Sequence, residues 1–477
     1  MDHPSRSIDA RRAVVPVLLS TLWAAALAAQ DPAPAPTPTP KPAAATSEEA
    51  TKPWRLDRAL GTPDWLTISG EVRVRYEGLE GQFRSTSQNL DNSDHLGFSR
   101  TSLRADADFD RFGATLEVLD ARHYGGGTGS FLRNSNVNPI DFLQAYGELD
   151  TGKIGEGESR FRIGRETMDL GSRRLVARNR FRNTINAFDA VDFEWSGEKS
   201  SVRAFWSMPV IRRPILPNDL RNNEPVMDDQ TRDRQFYGAF FETEYEGTGL
   251  ELYAFGLNED GGNTAQRNLY TPGFRVVRKK KQAALDYELE SAIQFGDTRI
   301  GMREVDHLAY FTHISFGYTF DYDWKPRVRV AYDYASGDSS RNDGKNGRFD
   351  TLFGARRFEY GPTGIYGAIA RSNISSPELR FEAKPNARTD CMIAWRWLWL
   401  AQGDDQWTTA RLTDSAGVTD NYVGNQIEAR VRYDIVPKNV RLDVGAAHLF
   451  AGNFIEDVAN SRGEDSTYVY AQMFFYF

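Results

Sequence analysis

Apolar and polar side chains alternate one for one over most of the chain beyond Trp65. In residues 65–77, Leu66, Ile68, Val72, Val74 and Tyr76 fall on one face, and Thr67, Ser69, Glu71, Arg73, Arg75 and Glu77 on the other. A period of two is that of a β-strand with one wet face. The alternation recurs at 284–296, 326–335 and 425–434, where Leu285, Val330 and Val431 oppose Asp286, Arg329 and Arg430. The whole chain offers about eighteen such segments, many near the ~10 residues that a tilted membrane strand needs. Turn residues separate them: Asp110-Arg111, Ser196-Gly197, Glu246-Gly247 and Pro437-Lys438-Asn439.

A soluble β-sandwich alternates too, and three features decide against it. Short turns, as at 196–199 and 246–249, exchange with long polar segments at 210–235, 336–375 and 403–420; outer-membrane barrels combine short periplasmic turns with long outer loops in this way. The polar faces carry charge along the whole strand length. Aromatics collect where strands meet loops, at Trp395, Trp397, Trp399 and Trp407, as interfacial girdles do. The chain also ends in an alternating strand, STYVYAQMFFYF, which resembles the terminal strand that such barrels present to their assembly machinery through a final aromatic, here Phe477. The expected fold is all-β: a transmembrane antiparallel β-barrel of about 18 strands in outer-membrane lipid, because only closure satisfies every backbone group there.

The N-terminus sets the compartment. Arg6, Arg11 and Arg12 precede one apolar run, Ala13 to Ala29, that ends in small residues. This is the pattern of a signal peptide, expected at 1–29. Residues 30–53 alternate Pro and Ala and read as a stiff, solvated linker, leaving 54–477 for the barrel. With 40% hydrophobic and 26% charged positions among 477 residues, a bundle of membrane helices is excluded. A single cysteine excludes a disulfide scaffold, and a net charge of −8 supplies no basic field for nucleic acid.

Several stretches are similar to the alginate-export family of outer-membrane barrels: 161–195, 324–338, 348–354, and 443–458 with the terminal strand. The most specific is Ile163-Gly164-Arg165-Glu166, followed by Gly171, Arg174 and Phe188-Asp189. The resemblance implies a monomeric barrel of eighteen strands whose arginine-lined pore passes an anionic polysaccharide. One departure is plain: the polar faces here are mixed in charge.

Parity assigns the lumen. Its basic candidates are Arg73, Arg75, Arg100, Arg104, Arg162, Arg327, Arg329, Arg396, Arg430 and Arg432, with Glu288 and Asp333 among the acids. A guanidinium binds carboxylates in paired, planar hydrogen bonds and stays charged at any working pH. These residues are read as the path of an anionic polysaccharide such as alginate or its fragments, moving passively, outward, without cofactor, metal or catalysis. The bland alternative is cross-strand salt bridging in a wide, wet lumen, which would leave a general or neutral-sugar porin. A barrel hydrolase is the weakest reading; His313 and Ser315 share a strand face, but no orienting acid is placed by sequence.

Three further segments carry expectations. Arg165 falls on the lipid-facing parity, so it lies at the rim or is turned inward by a bulge at Gly164. Residues 173–184 hold five arginines and could form a basic funnel, a loop folded into the lumen, or a solvated surface loop. Residues 336–375 are expected to act as a gate, with Phe349, Phe353 and Phe358 as anchors and Arg356-Arg357 facing the incoming carboxylates; Asp338, Asn342 and Asp343 in the same segment could bind Ca²⁺ weakly.

Overall fold

The alternating segments become eighteen long strands and one very short one in the computed structural model, which describes residues 53–261, 265–340 and 342–477. The signal peptide expected at 1–29 and the linker up to residue 52 lie outside the described residues. The first strands are β1 (Leu66–Glu80), β2 (Ser93–Phe109), β3 (Phe112–Tyr124), β4 (Asn138–Ile154), β5 (Gly157–Glu166) and β6 (Phe188–Ser196). Then come β7 (Ser200–Pro209), β8 (Arg234–Tyr245), β9 (Thr248–Glu259), β10 (Arg267–Arg278), β11 (Ala284–Ile300) and β12 (Arg303–Thr319). The wall is completed by β13 (Arg327–Ala335), the two-residue β14 (Lys345–Asn346) that runs parallel beside β12, β15 (Ile374–Asn386), β16 (Thr389–Trp399), β17 (Tyr422–Val436), β18 (Val440–Ala451) and β19 (Ser466–Tyr476).

Every long strand pairs antiparallel with its chain neighbours, and β1 pairs with both β2 and β19, so the sheet closes without an edge. The terminal residue completes the seam: Gly70 N–H donates to the Phe477 carbonyl at 2.8 Å, and Phe477 N–H to the Gly70 carbonyl at 3.1 Å. In lipid an open edge would leave its amides unpaired, so this seam is a condition of the fold.

The predicted turns at 110–111, 197–199, 246–247 and 437–439 gather at one end, joined there by 155–156 and 387–388. Long connections gather at the other, among them 81–92, 125–137, 167–187, 210–233, 336–373 and 400–421. The short-turn end is periplasmic in outer-membrane barrels. The outer face is apolar and open: Leu285, Ile293 and Val330 are about half exposed, while their neighbours Asp286, Gln294 and Arg329 are buried inside. Trp395 and Trp397 stack on that face near the long-loop end, and Trp65 stacks on Phe109 near the other. Trp407, expected in the girdle, is instead buried among the loops, stacked on Phe83 and donating to the Ala368 carbonyl at 3.0 Å.

Candidate functional site

Two of the long connections do not stay outside. Residues 167–187 and 336–373 turn into the barrel and lie against each other: Phe353 N–H donates to the Leu175 carbonyl at 2.9 Å, and Ala355 N–H to the Arg173 carbonyl at 2.9 Å. Their backbones approach so closely that a Cβ on Gly354 would collide with the Arg174 carbonyl. Apolar side chains explain the burial. Leu175, Val176, Ala177, Phe349, Ile365 and Tyr366 are all nearly inaccessible, and Phe353 packs edge-on against Phe188 and Phe236 of the wall. Phe349 packs on Phe311, while Phe358 lies beneath Arg173 and Arg174. Together the two segments span the lumen as a septum. Of the readings for 173–184, the structure selects the loop folded into the lumen.

The wall arginines hold this septum and pair with wall acids. Arg73 donates to the carbonyls of Arg180, Phe181 and Arg182 at 3.1–3.2 Å and to Asn183 Oδ1 at 2.7 Å. Arg75 binds Glu77 at 2.6 Å and the Phe181 carbonyl, and Arg100 binds Glu71 at 2.5 Å and the Arg180 carbonyl at 2.9 Å. The others meet carboxylates: Arg104 Asp106 at 2.6 Å, Arg162 Glu194 at 2.5 Å, Arg327 Asp286 at 2.5 Å, and Arg329 Glu378 at 2.5 Å. Arg396 bridges Asp333 at 2.8 Å and Glu378 at 2.7 Å; Arg430 meets Asp390 at 2.7 Å and Arg432 meets Asp443 at 3.2 Å. Glu288 accepts from Arg174 at 2.6 Å and from Arg275 at 2.7 Å.

At the centre Arg174 contacts Glu288, Glu290 and Glu359, and Arg371 also binds Glu359. His313 joins this knot, its Nδ1 2.7 Å from Asp333 Oδ1 and 3.6 Å from Glu359 Oε1. His313, Asp333 and Glu359 lie close enough to surround a metal ion. Arg174, Arg371 and Arg396 already supply the opposing charge, so the cluster reads as a buried ionic lock. A similar substitution of guanidinium for cation occurs near Asp338: its neighbour Asp405 is bound by Arg348.

The unmatched positive charge lies elsewhere. A cavity of about 450 Å³ opens at the long-loop end, and its wall carries Arg84, Arg133, Arg182, Arg212, Arg356 and Arg411, one from each of six loops. Among the described residues no carboxylate lines it. Backbone carbonyls hold the guanidiniums: Arg84 donates to Ile365 O at 2.9 Å, Arg212 to Asn134 O at 3.2 Å, and Arg356 to Ile369 O at 2.8 Å. Burial, then Arg356, Arg212 and Arg133, push Arg182 well below the ordinary arginine range; burial, Arg133 and Arg356 do the same to Arg84. Arg356, buried and facing Arg371, is pushed down to about 10. Arginine does not release its proton at working pH, so the chamber keeps a positive potential that an anion would relieve.

Sequence reading missed four of these six: Arg84, Arg133 and Arg411 each stand as the single arginine of a loop, and Arg212 is one of four arginines in 210–233 that nothing local sets apart. Of the pair expected to face incoming carboxylates, Arg356 lines the chamber. Arg357 is corrected: it is tied to Glu428 at 2.5 Å and to the Tyr470 hydroxyl at 2.9 Å. Arg165 lies at the rim on the outer parity, bound to Asp189 at 2.7 Å, and Gly164 before it has φ +131°.

The fold has many solved counterparts. A BenF-like porin from Pseudomonas fluorescens Pf-5 superposes with a TM-score of 0.57 at 11% identity, covering 87% of this chain and 99% of that one. The outer membrane protein OpdK of Pseudomonas aeruginosa gives 0.55 at 11%, over 86% and 98%, and OccD3 (OpdP) of the same organism 0.53 at 11%, over 87% and 91%. No curated protein matches the sequence. The family match covers residues 64–469, nearly the whole described barrel. The chain belongs to the alginate-export family of outer-membrane β-barrels, and its barrel has the fold of the porins above.

Proposed function

We propose that this barrel is a passive channel for carboxylate-bearing polysaccharide, alginate or its fragments, and that it works outward, as a monomer, without catalysis. The observation that carries the reading is the chamber of Arg84, Arg133, Arg182, Arg212, Arg356 and Arg411, lined by no carboxylate among the described residues. A uronate entering it gains charge-assisted, paired hydrogen bonds from guanidiniums that repel one another when it is empty. Passage also demands weak binding at several sites, so that the ligand can leave.

A second reading, a general or neutral-sugar porin, draws on the wall. There Arg104, Arg327, Arg329, Arg396 and Arg430 are each matched by an acid within 3 Å. A matched wall attracts neither sign strongly.

Single-channel recording in planar bilayers separates the two. The first expects anion preference and a block by oligouronates that neutral oligosaccharides of equal length do not produce. Indifference to the carboxylate would leave the general porin.

A further inference from the structure

The periplasmic lip is polarised. Over the arc from β4 to β9 the turns and strand ends carry six exposed acids, Glu156, Glu158, Glu198, Glu242, Glu244 and Glu246, against three exposed cations, Lys153, Arg160 and Lys199. Over the opposite arc, from β10 to β16, the turns 279–283, 320–326 and 387–388 and the end of β15 carry six exposed cations, Lys279, Lys280, Lys281, Lys325, Lys384 and Arg388, against exposed Asp321 and Asp323. Two adjoining grooves run along that basic arc, of about 480 and 230 Å³, and share Lys325, Lys384 and Asp390. Of their other carboxylates Asp434 is paired by Arg441 and Glu382 by Arg327, as Asp390 is by Arg430, and Asp323 stands at the edge of the larger one. Lys280 is engaged by Glu382 at 2.7 Å. Lys281, Lys325, Lys384 and Arg388 form no ion pair among the described residues, and their heads are free to take a ligand.

The grooves lead inward. Their lining reaches Arg327 on β13 and Arg432 on β17, inner-face residues beyond the lip. Lys384 follows Arg380 and Glu382 at the end of β15, where the register to β16 shifts, and lines both grooves. Alanine and the stems of polar residues supply all the apolar surface of the larger groove, which holds no aromatic side chain. A protein partner needs a desolvated centre rich in aromatics; a hydrated polyanion needs spaced cations along a trough.

We propose that this groove is the landing site of a carboxylated polysaccharide at the periplasmic mouth, its uronates held by Lys281, Lys325, Lys384 and Arg388. The acidic arc repels the chain from the far side and confines it to the wall of β10–β16. Lysine suits the task, because a mobile point charge attracts without locking the sugar in one geometry. The proposal rests on the polysaccharide reading above and adds where the chain boards.

The test uses the full chain in a planar bilayer, with a hexameric oligouronate added to one side at a time. Replacing the four cations by Gln (K281Q, K325Q, K384Q and R388Q together) should lower the association rate of block from the short-turn side about tenfold, within the range that electrostatic steering supplies. The rate from the long-loop side and the duration of each block should not change. A variant with arginine at the three lysine positions should keep the unmodified rate. A short-turn-side rate that ignores the four Gln substitutions overturns the landing site alone. Absence of uronate block from either side in the unmodified protein overturns the polysaccharide reading and the landing site together. Capture of an acidic periplasmic protein by the unmodified lip, with the oligouronate rate unmoved in the Gln variant, assigns the groove to a protein and also overturns it.

Discussion

Arg174 and Glu359 meet inside the lumen as a fully buried ion pair, although they belong to different in-folded loops and stand 185 residues apart in the chain. Each has further partners: Glu288 and Glu290 of the wall for Arg174, Arg371 for Glu359. Removing one member of a buried pair leaves the other charged and unpaired, at a cost of about 3–5 kcal/mol. Glu359→Gln should therefore loosen the septum while the wall stays closed. The expected result is higher conductance with more frequent transitions, and barrel resistance to denaturant within error of the unmodified protein. Gly354→Val, which prises the two loops apart at a different point, should act in the same direction. Unchanged currents in both variants would show that the septum does not limit flow.

The segment expected as a gate is thus one half of the septum. Residues 345–346 pair with β12 at the wall, whereas Phe349 to Arg371 cross the lumen. Deleting 342–346 should leave conductance nearly unchanged, and deleting 355–370 should raise it severalfold. Equal effects of the two deletions, read in the same bilayer, would contradict this division.

The lipid-facing register makes a separate prediction. Leu289 lies on the outer parity of β11, opposite Ile314 of β12. Arginine there should cost about 2–4 kcal/mol of folding into bilayers if it sits near the midplane. Glu242→Arg, at an exposed inward position of β8, should fold like the unmodified chain. Reversible unfolding in lipid vesicles measures both, and equal losses would refute the register.

Much of this architecture is legible in the sequence. Alternation locates a strand because side chains of a pleated sheet point to opposite faces, and Pro437-Lys438-Asn439 or Glu246-Gly247 mark turns by their local conformational preferences. Those signals are local. The septum is not: Arg73 recognises carbonyls of residues more than a hundred positions away, and no local pattern encodes that match. One trace of it was present, since Leu175-Val176-Ala177 and Phe181 are out of place in a loop meant for water. Of the arginine chamber only Arg182 and Arg356 were singled out by their local sequence; the other four come from four further loops that meet only in the fold. Arg329 follows from parity, yet its acid, Glu378, comes from the next strand of the wall and depends on register, unlike Asp106, which meets Arg104 from the same strand.

Acid should tighten one outer loop. Asp228, in the connection between β7 and β8, is pushed up from its ordinary 3.8 to about 6, chiefly by burial and then by the neighbouring Asp141, against the Arg213 amide that binds it at 2.7 Å. A carboxyl whose folded pKa is raised contributes stability that is fully present below its unfolded value and is lost as pH rises through the folded one. Protection of residues 210–233 against proteolysis or amide exchange should fall between about pH 4 and pH 6. Asp228→Asn should flatten that dependence. A profile with the same slope in the variant would place the titrating group elsewhere.

The chamber offers the sharpest discrimination between a selective channel and a general one. Arg182 and Arg356 sit in it without a carboxylate partner, whereas Arg430 on β17 is matched by Asp390 at 2.7 Å. Reversal of the two chamber residues (R182E with R356E) should abolish uronate block and shift ion preference toward cations. Arg430→Glu should leave the block in place and act on stability, because it sets two acids side by side on the wall. Lysine at 182 and 356 tests the chemistry more finely. It keeps the point charge and loses the paired, planar hydrogen bonding, so anion preference should persist while each block shortens. Salt should weaken the block in every variant that retains it, since the Debye length is only ~8 Å at physiological ionic strength. If instead R430E removes the block and the chamber reversal does not, selectivity lies in the wall ladder, and the chamber is a structural consequence of folding six loops together.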